Sequence, residues 1–297
     1  MFHNCAGHVL QLLPNLQLVL APNPSAMTGP GTNTYLVGND TLAIIDPGPD
    51  DTAHRAALSA AIGTRHVSHI IVTHSHLDHS PLAKPLGAHF AAPVLAFGGS
   101  TAGRSPVMQS LAATGLAGGG EGLDSTFEPD VQVADGDFIQ GNEWCLQVLH
   151  TPGQLGNHSA LAWDDAIFVG DMVMDWSTSL ISPPEGDMSE FLASCVMLQS
   201  RSEKVFYPGH GAPLADPYGR LAEVIAHRDA RAASILVALG QGPATLEGLV
   251  TRIYTGLDPR LTGAAGRNVF AHLIALSETG HVRASPALAP DATFALC

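Results

Sequence analysis

Apolar and polar positions alternate along the chain in short blocks that are typical of a mixed α/β protein. Residues 34–38 and 41–46 form two apolar blocks joined by an Asn-Asp turn, and they predict an antiparallel hairpin. Residues 51–62 have apolar positions at helical spacing behind an aspartate, which predicts a helix. Residues 69–73 form a short apolar run, which predicts a buried strand. Strands and helices are therefore expected to share one fold.

A second set of blocks predicts three further strands and a helix. The strands cover residues 144–149, 166–170 and 205–207, and an Asp-Met-Ser-Glu capping box opens a helix over residues 187–199. Residues 98–126 are rich in glycine, alanine and serine, and they predict a long, partly irregular surface excursion. Such a segment is either a mobile loop or a lid over a substrate, and we favour the loop.

The pattern becomes helical after Pro217. Three predicted helices and one short strand follow, at residues 218–239, 246–254, 264–277 and 280–283. We therefore expect a main domain over residues 1–216 and a small helical module over residues 217–297. Leu221 and Val224 lie at helical spacing, so the module should pack on the main domain or on a second copy, which would make a homodimer.

The strongest chemical signal is the sequence His-Ser-His-Leu-Asp-His directly after the predicted strand 69–73. Alternate residues of an extended segment project to one side, so His74 and His76 can bind one metal ion together. The chain then turns, and Asp78 and His79 can face a neighbouring position. Neutral imidazoles with a carboxylate suit zinc, and also iron or manganese. The alternative, a polar turn with surface histidines, is disfavoured by this spacing.

Two metals need more ligands than these four, and three downstream residues can supply them. Asp171 and His210 each follow a predicted strand, and His158 lies in a loop after the strand 144–149. Each residue alone has another interpretation, because an aspartate after a strand often caps a helix and a single histidine is more often structural. In this order after the first cluster, the three residues predict a centre of two divalent metal ions.

In these elements the sequence resembles the metallo-β-lactamase superfamily. The matching blocks are HxHxDH at 74–79, His-Thr-Pro-Gly at 150–153 with His158, Gly-Asp at 170–171, and Pro-Gly-His-Gly at 208–211. The resemblance implies an α/β fold, a four-layer αββα sandwich with the site at one edge. One departure is Gln154, where many members have a further histidine. That histidine is not usually a ligand, so we keep the ligand set and expect different support around it.

The resemblance also implies a role for each ligand. It places one metal among three histidines, namely His74, His76 and His158. It places the other metal among Asp78, His79 and His210, with Asp171 bridging the two. The predicted catalytic residues are the two carboxylates, Asp78 and Asp171. Two cations facing one water lower its pKa and hold a bridging hydroxide, which would attack a carbonyl carbon or a phosphorus.

Gly-Thr-Asn-Thr-Tyr-Leu-Val-Gly at 31–38 and the helical tail are similar to the β-lactamase-like protein 2 subfamily. That subfamily has a C-terminal winged-helix-like module, and some of its members are endoribonucleases. Two hydrolase hypotheses follow: hydrolysis of an ester, thioester or lactone, or cleavage of single-stranded RNA. A redox or sensor protein is a third hypothesis. It is the weakest, because the diiron oxygen reductases have a glutamate in the first block and a flavin domain, whereas position 76 is histidine here.

Charge separates the two hydrolase hypotheses. The net charge is −14; residues 1–219 hold 6 basic against 21 acidic side chains, and residues 220–297 hold 7 against 6. A nucleic-acid clamp would use Arg252, Arg260 and Arg267, but phosphate contacts need a clear local excess of positive charge. We therefore expect a small-molecule substrate rather than nucleic acid, and a tail that shapes the substrate cleft.

Composition and cysteine spacing indicate where such a protein would work. The four cysteines are far apart and form no CxxC pair, which favours a reducing compartment. Prolines interrupt the apolar N-terminal stretch, which has no preceding lysine or arginine, so it predicts neither a signal peptide nor a membrane span. We expect a cytoplasmic protein with no membrane partner.

Overall fold

The computed structural model describes residues 5–119, 122–256 and 258–297. The strands are β1 (Val9–Leu13), β2 (Leu16–Leu20), β3 (Asn33–Val37), β4 (Thr41–Ile45), β5 (His66–Ile71), β6 (Val94–Ala96), β7 (Val131–Gln132), β8 (Phe138–Gln140), β9 (Cys145–His150), β10 (Ser159–Trp163), β11 (Ala166–Gly170), β12 (Val205–Pro208), β13 (Ala244–Thr245), β14 (Val282–Ser285) and β15 (Thr293–Leu296). The helices are α1 (Thr52–Ile62), α2 (Ala83–Phe90), α3 (Pro106–Ala113), α4 (Met188–Gln199), α5 (Pro217–Gly240), α6 (Leu246–Ile253) and α7 (Thr262–Glu278), with a short 3-10 helix at Pro259–Leu261.

Two sheets pack face to face and bury the main core between them. One sheet has seven strands in the order β1 to β7, and the other has five in the order β12-β11-β10-β9-β8. Tyr35 and Ile45 from the first sheet lie in one apolar cluster with Val148 and Phe168 from the second. Helices α1 and α2 cover the outer face of the first sheet, whereas α4, α5 and α7 cover that of the second. The predicted four-layer αββα sandwich is confirmed.

Strand direction brings several strand ends to one edge of the sandwich. Strands β4 and β5 are parallel neighbours in the first sheet, and β11 and β12 are parallel neighbours in the second. Parallel neighbours end at the same edge of a sheet. The residues that follow these four strands are Asp46, the segment 72–79, Asp171 and the segment 209–211. The fold therefore gathers polar side chains from distant parts of the chain at one edge.

Several local predictions are confirmed at the level of single contacts. The hairpin of β3 and β4 pairs Tyr35 with Ile45. Helix α1 begins after Asp51, whose carboxylate accepts the His54 N–H, and α4 begins after Asp187, which accepts two N–H groups. Such side chains satisfy backbone donors that a helix leaves open at its start.

The glycine-rich stretch 98–126 differs from its prediction. It contains α3, whose Met108 and Leu111 are buried against α5, α6 and α7, so this part is neither irregular nor a free surface loop. Further along, the Leu77 N–H donates to Gly122 O, which ties the stretch to the histidine cluster. Gly120 and Glu121 lie outside the described residues. The lid stays the less favoured of the two interpretations.

The C-terminal part contains the three predicted helices and a small sheet of order β13-β15-β14. The sequence predicted only the strand near residues 280–283, because β13 has two residues and β15 has no long apolar run. Leu221 and Val224 of α5 pack in the cluster that covers the five-stranded sheet, so the module contacts the main domain. The boundary at 216/217 stays a prediction. Among helices of the described ranges, none has the length and hydropathy that a membrane crossing requires.

Candidate metal centre

The structure brings together all seven residues that the sequence predicted as ligands. They lie on the loops at the edge described above: His74, His76, Asp78 and His79 after β5, His158 before β10, Asp171 after β11, and His210 after β12. All except His76 are buried. Side chains separated by more than a hundred residues in sequence therefore share one site.

Five of these residues form two groups of three that share His79. Within each group, the ligand atoms lie within 4.8 Å of one another. One group is His74, His79 and Asp171, and the other is Asp78, His79 and His210. Asp171 contacts both groups: its carboxylate oxygens lie 3.8 Å from His74 Nε2, 3.5 Å from His79 Nε2 and 3.4 Å from His210 Nε2. Asp78 Oδ2 lies 3.1 Å from His210 Nε2 on the other side.

The two remaining predicted ligands adjoin these groups. His76 Nδ1 lies 3.1 Å from His74 Nε2, so these two ring nitrogens face the same point. His158 Nε2 accepts the Asp171 N–H at 3.2 Å. Neither residue belongs to the tight groups of three, and their roles as ligands stay predictions.

The carboxylates have unused acceptor atoms that fit a bound cation. Asp78 Oδ1 and Asp171 Oδ1 are buried and make no hydrogen bond of good geometry with any described residue. A buried carboxylate oxygen without a hydrogen bond is costly, and a cation would satisfy it. Imidazole nitrogens and carboxylate oxygens together suit zinc, iron and manganese. The residues present therefore fit a divalent metal site.

Burial sets the protonation of three histidines in the form that binds metal. Burial lowers the pKa of His158 from its ordinary 6.5 to about 3, and it also lowers the pKa of His74 and of His76. These imidazoles are therefore neutral near pH 7, and a neutral imidazole has a free nitrogen lone pair for a metal.

The other two histidines are coupled to the carboxylates. Burial by itself lowers the pKa of His210, but Asp171 and Asp78 outweigh it and raise that pKa to about 10. Burial likewise opposes a charge on His79, and Asp78 and Asp171 raise its pKa well above 6.5. Protons on these rings would balance the charge of two buried carboxylates. A bound cation would take over that balance and release the protons.

Three side chains and one backbone carbonyl that the sequence analysis did not single out orient the histidine rings. Four of the rings use Nδ1 for a hydrogen-bond contact outside the centre and turn Nε2 inward. The contacts are His74 with Thr73 Oγ1 (2.9 Å), His79 with Asp46 Oδ2 (3.0 Å), His158 with Thr151 Oγ1 (2.8 Å) and His210 with Gly31 O (3.1 Å). Such contacts fix ring orientation and the nitrogen that faces a metal.

Asp46 is the most important residue that sequence reasoning missed. Besides contacting His79, it accepts hydrogen bonds from the Thr73 N–H and hydroxyl, each at 2.7 Å. Its φ of 50° lies in the left-handed region, which costs about 1–3 kcal/mol for a non-glycine residue. Strain at a buried carboxylate is typical of functional sites. The sequence feature that could have identified Asp46 is its position at the end of an apolar strand, directly before Pro-Gly.

Two glycines give the ligands room. A Cβ at Gly209 would overlap Asp171 Oδ1 and lie 2.7 Å from His79 Cε1. Gly170 has a φ of 49°, and a Cβ there would lie 2.5 Å from His158 Nε2. Both positions therefore require glycine for the ligands to approach one another.

A cavity of about 770 Å³ opens from the centre toward the C-terminal module. Its lining residues include His76, Asp171 and His210 of the centre and also Arg267 and Asn268 of α7. Gln154, the departure noted above, also lines it and places Nε2 2.9 Å from His76 Nδ1. The helical module therefore forms part of the wall of the site.

Two residues that adjoin the motif blocks, His150 and Tyr207, lie outside the ligand cluster. His150 stacks on Phe97 with ring centroids 3.7 Å apart and contacts Gly156 O at 3.0 Å. Tyr207 is buried in the core between the sheets beside Tyr35. Their described contacts are those of structural residues.

The three arginines proposed as a nucleic-acid clamp differ in their contacts. Arg252 donates to the Ala238 and Gly242 carbonyl oxygens, and Arg260 forms an ion pair with Asp258 at 2.7 Å. Arg260 and Arg267 both line the cavity, whereas Arg252 is not among its lining residues. The three arginines therefore do not share one basic surface.

Comparison with known families finds two matching profiles. The profile described as the metallo-beta-lactamase superfamily matches residues 27–210. The profile described as the beta-lactamase associated winged helix domain matches residues 245–287. The first covers more than half of the chain, and it includes all seven predicted ligands. The expected winged-helix-like module is confirmed.

Curated relatives and solved structures agree with these matches. A beta-lactamase-like protein 2 homolog from Drosophila melanogaster is 29% identical over 93% of this chain and 92% of its own length. An atrochrysone carboxyl ACP thioesterase from Claviceps purpurea is 27% identical over 83% of this chain and 74% of its own length.

Two solved structures share the fold. A beta-lactamase domain protein from Burkholderia ambifaria superposes with a TM-score of 0.81 at 21% identity, covering 100% of this chain and 95% of its own. A metallo-beta-lactamase family protein from Thermus thermophilus superposes with a TM-score of 0.77 at 23% identity, covering 97% and 100%.

Proposed function

The chain belongs to the metallo-β-lactamase superfamily and is a hydrolase, and from this premise we propose that it hydrolyses a thioester at a centre of two divalent metal ions. Zinc is the favoured metal, with iron or manganese as alternatives. One ion would be held by His74, His76 and His158, the other by Asp78, His79 and His210, with Asp171 between them.

The position of Asp171 is the observation that carries this proposal. Its two oxygens lie within 3.8 Å of imidazole nitrogens from His74, His79 and His210, so it lies between the two proposed ligand sets. Its Oδ1 has no hydrogen bond from the described chain. Burial by itself raises the pKa of Asp171, but His210 and His79 outweigh it and hold the pKa well below its usual range. An ionised, buried carboxylate in this position suits a bridging ligand.

The relatives favour a thioester among the ester, thioester and lactone substrates. The thioesterase from Claviceps purpurea aligns with most of this chain, and its name records activity on an acyl group attached to a carrier protein. In the net reaction, the oxygen of water bonds to the carbonyl carbon and the C–S bond breaks. The products are a carboxylate, a thiol and a proton.

The chemistry is divided between the metals and the chain. Bound divalent cations would supply Lewis acidity that activates water and polarises the carbonyl group under attack. Asp46 and Thr151 hold the His79 and His158 rings through Nδ1. Gln154 lines the cavity, and its Nε2 lies 2.9 Å from His76 Nδ1. Its Oε1 has no hydrogen-bond partner among the described residues, so this oxygen is the part of the amide that can accept a hydrogen bond from the substrate. Fixed groups of this kind lower the cost of reaching the reactive geometry.

The test is thiol release from acyl thioesters by protein reconstituted with zinc, manganese or iron. Asp171→Asn should lower kcat/KM by at least about 100-fold, because it removes a charge from both proposed ligand sets. Asp165→Asn, at an exposed aspartate paired with Lys204, is the matched control and should keep full activity. Thiol release at an unchanged rate by Asp171→Asn would contradict the proposal. So would cleavage of single-stranded RNA by a protein inactive on every thioester.

A further inference from the structure

Arg267 lies where two cavities meet. It lines the larger cavity, which reaches the candidate metal centre, and also a smaller neighbouring cavity of about 320 Å³. The smaller cavity has mainly apolar walls that include Leu116, Leu246 and Phe270, and Arg267 is the one charged residue that the described chain contributes to it. A ligand that extended from the metals into the apolar space would pass this guanidinium.

The Arg267 guanidinium has no acidic partner in the described ranges, although the chain has an excess of acidic residues. No carboxylate oxygen described lies within the 4.0 Å that defines an ion pair with it, whereas Arg260 pairs with Asp258 and Arg104 lies 3.7 Å from Glu185. Arg267 is half-buried, so part of its hydration is already lost. A partly desolvated cation without a partner is well placed to bind an anion.

The surroundings of Arg267 leave space for its guanidinium and offer further donors. A Cβ at Gly119 would overlap Arg267 Cζ, so a larger residue there would displace the guanidinium from its present position. The larger cavity is also lined by the hydroxyl groups of Thr178 and Ser182 and by the amide of Asn268. Hydroxyl and amide groups can donate to anionic oxygens beside an arginine.

We propose that Arg267 binds an anionic group of the substrate, a carboxylate or a phosphate, and so selects charged thioesters over neutral ones. This inference rests on the proposed function and adds a specificity residue from the C-terminal module. The guanidinium presents a planar set of N–H donors that matches two oxygens of a carboxylate or a phosphate at once. The anion can belong to the acyl group or to the thiol arm.

The experiment compares matched pairs of thioesters with the reconstituted enzyme. S-acetyl-pantetheine and S-acetyl-4′-phosphopantetheine differ by a phosphate on the thiol arm. S-butanoyl-pantetheine and S-succinyl-pantetheine differ by a carboxylate on the acyl group. In one of the two pairs, Arg267→Ala should lower kcat/KM for the charged thioester by roughly 10- to 100-fold. The loss should come mainly from a higher KM, as expected for lost charge-assisted hydrogen bonds. The affected pair identifies the source of the anion.

Controls separate this proposal from a structural role and from the proposed function. Arg267→Lys should recover part of the activity that Arg267→Ala loses on the charged thioester. For neutral thioesters, the kcat/KM of Arg267→Ala should stay within about twofold of the wild-type value. Arg283→Ala, at an exposed arginine of β14, should match the wild type on every probe. Equal loss on charged and neutral thioesters, no loss on either, or a loss confined to RNA cleavage would overturn the inference. If the wild type hydrolyses no thioester, the proposed function itself fails.

Discussion

At the scale of single residues, the site depends on positions where another residue would displace a proposed ligand. Gly209 lies between Asp171 and His79, and Gly170 lies against His158. Asp46 adopts a left-handed conformation and holds both Thr73 and the His79 ring. A methyl group or an altered charge at these positions would act directly on the proposed ligands. Substitutions there therefore test the geometry more sharply than removal of a ligand.

Gly209→Ala is the first prediction. The added Cβ overlaps Asp171 Oδ1, so one ligand has to move, and we expect kcat/KM to fall at least about tenfold together with metal affinity. Gly240→Ala is the matched control, because a Cβ there meets no other atom within 4 Å and the position is helical. It should keep activity and stabilise the fold by up to about 1 kcal/mol. Equal activity of the two variants would contradict the proposed role of Gly209.

At the scale of elements, α5 holds the segment that follows Asp171. Arg228 of α5 is only 2% exposed and donates to the Ser179 carbonyl, and the Ser179 hydroxyl donates to the Asp171 carbonyl. Arg220, about two turns earlier in the same helix, donates to the Met174 and Ser177 carbonyls at 2.8 Å. The helix therefore fixes the backbone on which Asp171 is placed.

Replacing Arg228 gives the second prediction. Arg228→Met keeps a long apolar side chain but leaves the Ser179 carbonyl without its donor, so the Asp171 segment should loosen. We expect metal affinity to fall about tenfold or more, with secondary structure retained. Arg55→Met, at an exposed arginine of α1, is the control and should bind metal as the wild type does. Metal titration monitored by calorimetry measures both variants, and equal affinities would contradict the positioning role.

Helix α4 provides a prediction about pH. Burial, together with Asp187 and Glu278, raises the pKa of Glu190 from its ordinary 4.5 to about 7. Because the folded state holds this proton more tightly than the unfolded chain, the contribution to stability is complete below about pH 4.5 and is lost as pH rises through about 7. Glu190→Gln should therefore raise the free energy of unfolding by about 1–2 kcal/mol at pH 8 relative to its effect at pH 5.

Denaturant unfolding at the two pH values measures this difference. Glu247→Gln replaces an exposed glutamate that also lies in the first turn of a helix, so it is the matched control. Glu247→Gln should change the free energy of unfolding by the same amount at pH 5 and at pH 8. A Glu190→Gln variant that behaved in the same way would show that this carboxyl is not perturbed.

At the scale of the whole molecule, the sequence predicted what depends on local pattern. The β3–β4 hairpin, α1 with its Asp51 cap and the apolar β11 follow from neighbouring residues. Helix α2 was missed because Pro85 and Gly87 interrupt it, and β10 was missed because its small residues carry little apolar signal. Strength of local pattern therefore decided which elements were predictable.

The same limit applied to the site. Its ligands were predictable because they lie in recognisable blocks, each next to a strand end. Asp46 and Gly31 were not, because their roles depend on contacts with rings that follow other strands. Thr151 lies in the same loop as His158, but the order of residues does not show that the two side chains meet. The approach of Arg267 to the cavity depends on packing between α7 and the stretch around Gly119. Such long-range contacts have no signature in the order of residues.

The central claim is that seven side chains at one edge of the sandwich hold two divalent ions. Elemental analysis of protein purified without chelator, and then given excess zinc, tests it most directly. We predict a value that approaches two ions per chain, because three ligands for each ion and one carboxylate between them are available. A reproducible value near zero, with added zinc failing to bind, would contradict the account.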